Sequence, residues 1–355
     1  MTSQPASARE IALLRLVAQR IAGPVLPTPA AVVRWLTAMQ AQDLGGALTA
    51  VALRTRGGRR RVEAALDAGE IVRSWPMRGT LHLVAAEDLP WLLDLLAPRV
   101  IAGRARRHAE LGLDRGAFDR ARRAAESALA GGAALTRAEL LEVFAQAGVD
   151  PSGQRGYHLI GQLAQTGTLC LGPMRDGSQL FVLVAEWIRH PRRLEREAAL
   201  AELATRFFRS HGPATLKDLI RWANLTAADA RVGWSLARAQ LDRVEVDGVE
   251  MLLDPATPEL LRAAGSRARG VFLLPGFDEL VLGYADRSAV LPPAYADRVV
   301  PGGNGVFQPT VVSGGKIVGT WRYGGRGTAV TATPFEAFPE RVARAIPKLA
   351  AALAT

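Results

Sequence analysis

Gln40-Ala41-Gln42 sets two neutral amides one residue apart, between an apolar helical stretch and Asp43 with a Gly-Gly break. On an extended segment, alternate side chains leave from one face. Gln40 and Gln42 would then stand side by side, with Ala41 and Asp43 turned away. Such a pair can hold a water or a sugar oxygen without carrying charge. If the helix ran on through them, they would diverge around its axis and read as two ordinary surface glutamines. The next loaded stretch is Met77-Arg78-Gly79-Thr80-Leu81-His82. On a strand, Arg78, Thr80 and His82 share one face, opposite Leu81 and Leu83. A cation, a hydroxyl and an imidazole facing outward suit phosphate or sugar contacts; the plain alternative is a solvent-facing hairpin. Arginines cluster at 54–61, 99–107 and 189–196. Arg59, Arg60 and Arg104, with Lys316 in a Ser-Gly-Gly-Lys turn, are further candidates for contact with a polyanion.

Other chemistries find little support. There is no Cys/His metal spacing, no P-loop, no dinucleotide fingerprint in a β-α-β setting and no Gly-x-Ser-x-Gly. His82, His108, His158, His190 and His211 are scattered. No metal and no cofactor is implied. The single cysteine, Cys170, lies in an apolar run and is expected to be buried and inert.

The elements that must position these residues follow a repeated order. Ile11 to Ile21 and Pro29 to Met39 have helical apolar patterns, and a short helix fits Val62 to Ala68. Ile71 to Val84 reads as two strands around a turn. Helices followed by a hairpin is the order of a winged-helix module. It recurs with a Thr136-capped helix, a helix over Gly156 to Thr166, and strands at Leu169 to Leu171 and Gln179 to Val184. It recurs again with a helix capped by Thr215 and Asp218, a helix over Ala227 to Leu241, and strands around Asp247-Gly248. From about Arg269 the pattern changes. Val271 to Leu274, Glu279 to Leu282, Gly305 to Val312 and Lys316 to Trp321 read as strands of a small barrel-like β-domain, closed by a helix from Pro339 to Leu353.

The predicted fold class is therefore α+β, with three tandem winged-helix domains followed by a β-barrel-like domain. The boundaries fall at 1–100, 101–192, 193–268 and 269–355. A chain of 355 residues with 49% apolar and 22% charged residues suits a folded multidomain protein. No apolar run spans a bilayer. Met1 to Arg9 lacks the apolar core of a signal peptide, so a cytoplasmic location is expected, with no membrane partner. The net charge of +10 favours a nucleic-acid partner. Most of the basic residues are arginine, however, and Ala and Gly abound, so compositional bias inflates the charge.

Four motifs, taken together and in order, resemble the AlkZ/YcaQ-type DNA glycosylases. Gln40-Ala41-Gln42-Asp43 is similar to the family's Gln-x-Gln motif, and Arg78-Gly79-Thr80-Leu81-His82 to its Arg-Gly-Thr-x-His wing. His211-Gly212-Pro213-Ala214-Thr215 resembles its third-domain helix entry. Leu273 to Glu279, with Asp286-Arg287, resembles its first β-domain strand. The resemblance covers nearly the whole chain. It implies a monofunctional glycosylase on a concave DNA-binding scaffold, with Gln40 and Gln42 catalytic, acting on double-stranded DNA that carries alkylated purines. It implies a bacterial, nucleoid-associated setting, for which a monomer is adequate. Some members of the family unhook interstrand crosslinks. The YcaQ branch carries Gln-x-Asp, so the second glutamine here points to the AlkZ branch. The competing reading is a non-catalytic winged-helix regulator.

Overall fold

The computed structural model of the chain describes residues 7–324 and 329–353. Most of the Met1 to Arg9 stretch lies outside them. The fold mixes helices with antiparallel sheet and separates into two compact units. One gathers Met1–Val62 with Leu200–Thr355, the other Glu63–Ala199. These units cut across the boundaries expected from sequence, because the Ile71–Met77 and Thr80–Ala85 strands pack with the later residues up to 199.

In the unit Glu63–Ala199 four antiparallel strands run in the order Thr80–Ala85, Ile71–Met77, Leu169–Arg175, Ser178–Leu183. The two hairpins expected from sequence thus share one sheet, joined where Arg73 faces Leu171. The Arg115–Leu129 helix packs beside it. Ala117, Ala121, Ala125 and Leu129 recur every four residues, so they form one stripe, and all are buried with Phe144, Leu159 and Trp75. Small side chains along that stripe let neighbouring backbones approach closely. Cys170 is buried, and burial pushes its thiol pKa up to about 12.

In the other unit the Ala8–Ala18 helix starts at Ser7, whose hydroxyl accepts from the Glu10 amide. Thr28 caps the Pro29–Leu36 helix, with Pro29 in its first turn. A Leu44–Ala52 helix follows that the sequence reading did not anticipate. Thr215 and Asp218 form the expected capping box of the Leu216–Ala223 helix. Asp242–Val246 and Val249–Leu253 pair around Asp247 and Gly248, both with positive φ, as a two-residue hairpin turn requires. A second sheet has the linear order Val271–Leu274, Thr310–Ser313, Lys316–Tyr323, Val330–Pro334. Val342 and Ile346 of the Glu340–Leu353 helix cover it, packing with Leu273, Val311 and Trp321.

Two expectations need correction here. The sheet is open, not barrel-like, since its strand order does not close on itself. Glu279–Leu282 is a short helix rather than a strand. Asp278 caps it, accepting from the Leu280 amide at 3.0 Å, and that local bond outweighs the β-like apolar run. Among the described residues no helix is long and apolar enough to cross a membrane.

The alanine stripe carries a stability prediction. Ala121→Leu inserts three carbons where there is no space, and overpacking of this kind costs about 1–3 kcal/mol. The urea midpoint of unfolding should fall accordingly, while Ala133→Leu, at a half-exposed position, should leave it nearly unchanged.

Candidate active site

The backbone that presents Gln40 begins with a forced turn. The Pro29–Leu36 helix stops at Thr37, whose φ is 68° and ψ −54°. The Ala38 amide donates back to the Leu36 carbonyl at 2.8 Å, which closes a three-residue γ-turn of the rare positive-φ kind. A β-branched residue there is a true outlier, at a cost of about 1–3 kcal/mol. Thr37 is buried, and its hydroxyl has no hydrogen-bond partner. The turn converts helix into extended chain, and Met39–Gln40 is extended.

The two amides meet. Gln40 Nε2 donates to Gln42 Oε1 at 2.8 Å, and the Gln42 main-chain amide donates to Gln40 Oε1 at 3.2 Å. Ala41 is fully buried, Gln40 is 6% exposed and Gln42 is exposed. Asp43 caps the Leu44–Ala52 helix without a side-chain cap bond. Its carboxylate leans over the helix start, where a Cβ on Gly46 would lie 2.6 Å from Oδ2, so the Gly-Gly break makes room for it. The Arg59 guanidinium lies beside the same helix start, its Nη1 3.8 Å from where a Gly45 Cβ would be.

Behind Gln40 stands a buried polar network of the same unit. Glu279 is 1% exposed. Its Oε1 accepts from the Gln40 main-chain amide at 3.4 Å, and its Oε2 accepts from Trp222 Nε1 at 2.9 Å. His211 Nε2 is 3.3 Å from that second oxygen, and His211 Nδ1 is 2.8 Å from Ser210 Oγ. With a proton on Nε2, His211 donates to the carboxylate, while the Ser210 hydroxyl donates to the Arg206 carbonyl at 2.7 Å. Its ring stacks on Phe207 at 4.7 Å. The Tyr284 hydroxyl donates to the His211 carbonyl at 2.7 Å and accepts from Gln19 Nε2 at 3.0 Å; burial raises its pKa. Arg54, wholly buried, makes a two-pronged bond to Asp278, with Nη1 to Oδ2 at 2.8 Å and Nη2 to Oδ1 at 2.9 Å. It also donates to the carbonyls of Gln19 and Ala50.

Glu279, His211, Trp222, Asp278 and Arg54 were not candidates from sequence. Some signal was present: His211 and Glu279 lie in two of the motifs that carried the resemblance. Among the described residues no His, Cys, Asp or Glu cluster could hold a metal ion.

The Arg78–His82 segment, in the unit Glu63–Ala199, departs from expectation. His82 is buried, not outward-facing. Its Nδ1 donates to the Thr80 carbonyl at 2.9 Å and its Nε2 accepts from Arg78 Nη2 at 2.9 Å. Burial chiefly, and then the Arg78 charge, holds the His82 pKa well below its usual value, only partly offset by the Thr80 bond. Arg78 sits in the turn at φ 55°, so the histidine orients the arginine. Thr80 Oγ is buried without a partner. Arg104 braces this turn rather than reaching outward, donating to the Gly79 carbonyl and to Gln165 Oε1, each at 3.2 Å. Arg60 is exposed on the Gly58–Asp67 helix. Lys316, in the other unit, donates to the Ser288 carbonyl at 3.4 Å. The hairpin tip next to it is packed down, since a Cβ on Gly315 would meet Ala12 and Leu13 at 3.2 and 3.3 Å.

The described residues thus form a mixed helix and antiparallel-sheet protein with a neutral amide pair backed by a buried polar network. The family model for DNA glycosylase AlkZ-like proteins matches residues 33–355, and the chain belongs to that family. It is a DNA glycosylase. An interstrand DNA cross-link repair glycosylase of Streptomyces sahachiroi is 27% identical over 343 residues, which cover 93% of this chain and 91% of the relative. The solved structure of Streptomyces sahachiroi DNA glycosylase AlkZ superposes with a TM-score of 0.81 at 26% identity, covering 99% of this chain and 96% of that one.

Two measurements check the energetics. Asp278→Ala strands the Arg54 guanidinium in the interior, and breaking a buried pair in this way costs about 3–5 kcal/mol, which the urea midpoint should report. His82 has a folded-state pKa below its unfolded value of about 6.5. Its neutral form therefore contributes stability that is present above pH 6.5 and lost as pH falls toward the folded pKa. Stability should drop as pH falls below about 6.5, and His82→Gln should flatten that part of the slope.

Proposed function

We propose that Gln40 and Gln42 are the catalytic pair and that the enzyme hydrolyses the N-glycosidic bond of purines alkylated at N7 or N3 in duplex DNA. The observation that carries this is the 2.8 Å bond between the two amides, set where the extended Met39–Gln40 backbone bends and leaves Gln42 exposed. An N7- or N3-alkylated purine is already cationic and leaves without a general acid. The remaining tasks are to place a water near C1′ and to stabilise an oxocarbenium-like sugar. An amide has no useful pKa, so it orients water rather than deprotonating it. Gln40 Oε1 accepts one bond from the Gln42 amide, and an amide oxygen has two lone pairs, so it can also accept from a water. Neutral lesions, whose bases need protonation to leave, should be poor substrates.

The name of the Streptomyces sahachiroi relative supports extending the substrate range to interstrand crosslinks. The three helix–hairpin modules within 1–268 are read as winged helices along the duplex. Arg59, Arg60 and Arg78 supply phosphate contacts, and Arg104, Thr80 and His82 shape the turn that carries Arg78. Lys316 takes part only if it exchanges Ser288 for a phosphate. The enzyme acts on nucleoid DNA in the cytoplasm as a monomer.

Gln40→Ala and Gln42→Ala should each slow release of 7-methylguanine from duplex DNA by about 100-fold or more, the scale set by loss of one preorganised polar group. The double variant should abolish release and leave duplex affinity within a few-fold. Excision that survives the double substitution sinks the assignment. A preferred operator sequence in a binding screen would point instead to a regulator.

A further inference from the structure

Glu279 is a buried carboxylate that the reaction as drawn does not use, and its two oxygens have separate partners. Oε2 is held by Trp222 Nε1 at 2.9 Å and lies 3.3 Å from His211 Nε2. Those donors come from different elements, the Leu216–Ala223 and Arg196–His211 helices. Oε1 is left to accept the Gln40 main-chain amide at 3.4 Å. With one oxygen pinned by two rings, the place of the other is fixed, and with it the nitrogen of Gln40.

We infer that Glu279 is the positioning residue of the active site: it keeps Gln40 extended against a backbone that would relax by continuing the helix. This rests on the reading of Gln40 as catalytic. Thr37 stores the strain of a positive-φ γ-turn, and strain of this kind persists only where the surroundings over-determine it. Relaxation into helix would satisfy the Gln40 amide with a carbonyl four residues back. It would also swing Gln40 and Gln42 about 200° apart at about 100° per residue, breaking the 2.8 Å pair. A carboxylate offered to the Gln40 amide removes that incentive. It acts through the main-chain amide of Gln40.

Glu279→Gln tests this directly, because an amide accepts at one atom only. Whichever way it turns, its NH₂ faces either the Gln40 amide or the Trp222 and His211 donors. Ala121→Leu, in the separate core around Phe144 and Leu159, controls for lost stability alone. Single-turnover release of 7-methylguanine should fall about 10- to 100-fold in Glu279→Gln, the cost of a misplaced reacting group. Duplex affinity should stay within about threefold, and Ala121→Leu should keep its rate within about threefold. A Glu279→Gln rate within that margin overturns the inference, and so does an equal loss in Ala121→Leu, which would make the loss one of stability alone. Should Glu279→Gln fail to fold by circular dichroism, Glu279→Asp, with an arm too short to hold both sides, is read by the same criteria. Gln40→Ala is measured alongside. If it excises normally, the catalytic assignment falls and this inference with it; if it is inactive while Glu279→Gln is active, only this inference falls.

Discussion

Two adjacent acidic side chains, Asp278 and Glu279, are buried in one short turn, and the unit that holds the glutamines is organised around satisfying them. A carboxylate taken out of water costs several kcal/mol unless it is paired and hydrogen-bonded. Asp278 takes both prongs of Arg54, and Glu279 takes Gln40, Trp222 and His211. These partners come from early and middle parts of the chain, tens to hundreds of residues away. None of the local segments can pay that desolvation cost alone. The turn is therefore stable only when the segments around Gln40, Arg54 and His211 have all arrived, so folding of this unit and assembly of the site are one event.

That coupling explains how a strained, uncharged site persists. The amides of Gln40 and Gln42 hold each other by ordinary neutral hydrogen bonds, each worth about 0.5–1.5 kcal/mol net. This is about the size of the penalty at Thr37, so the pair could not hold the turn by itself. The surplus comes from charge-assisted bonds deeper in the unit, which are stronger. Charge is thus kept one layer behind the neutral amide pair.

What was legible in the sequence divides along the range of the interactions. Turns and caps announce themselves, since their causes lie within four residues. Asp247-Gly248 closes its hairpin, and Thr215 with Asp218 caps its helix. Glu279–Leu282 reads as a strand because a run of three apolar residues fits a strand as well as a helix, and the deciding bond from the Leu280 amide to Asp278 leaves no periodic trace. His82 was placed outward because strand alternation assumes one solvated face. In the sheet of Glu63–Ala199 that strand is buried at residues 82–85 on both sides. The network on Glu279 was illegible in principle, because spacings of 57 to 239 residues carry no pattern. Only the motifs that resembled a known family hinted that His211 and Glu279 belong with Gln40.

Charge makes the same point from the surface. A net charge of +10 is a property of composition, whereas contact with a phosphate needs a guanidinium that is not otherwise engaged. Many arginines here are engaged. Arg106 and Arg107 pair with Glu110, Arg122 with Glu126, Arg206 with Glu202 and Arg192 with Asp88. Arg54 is structural, and Arg104 braces a turn. Exposed pairs of this kind add little stability, about 0–1 kcal/mol, and a phosphate can displace such a carboxylate. The buried ones cannot be recruited in that way. Arg60 is exposed on its helix, whereas Arg78 is held by His82. A count of basic residues therefore overstates the charge open to a polyanion.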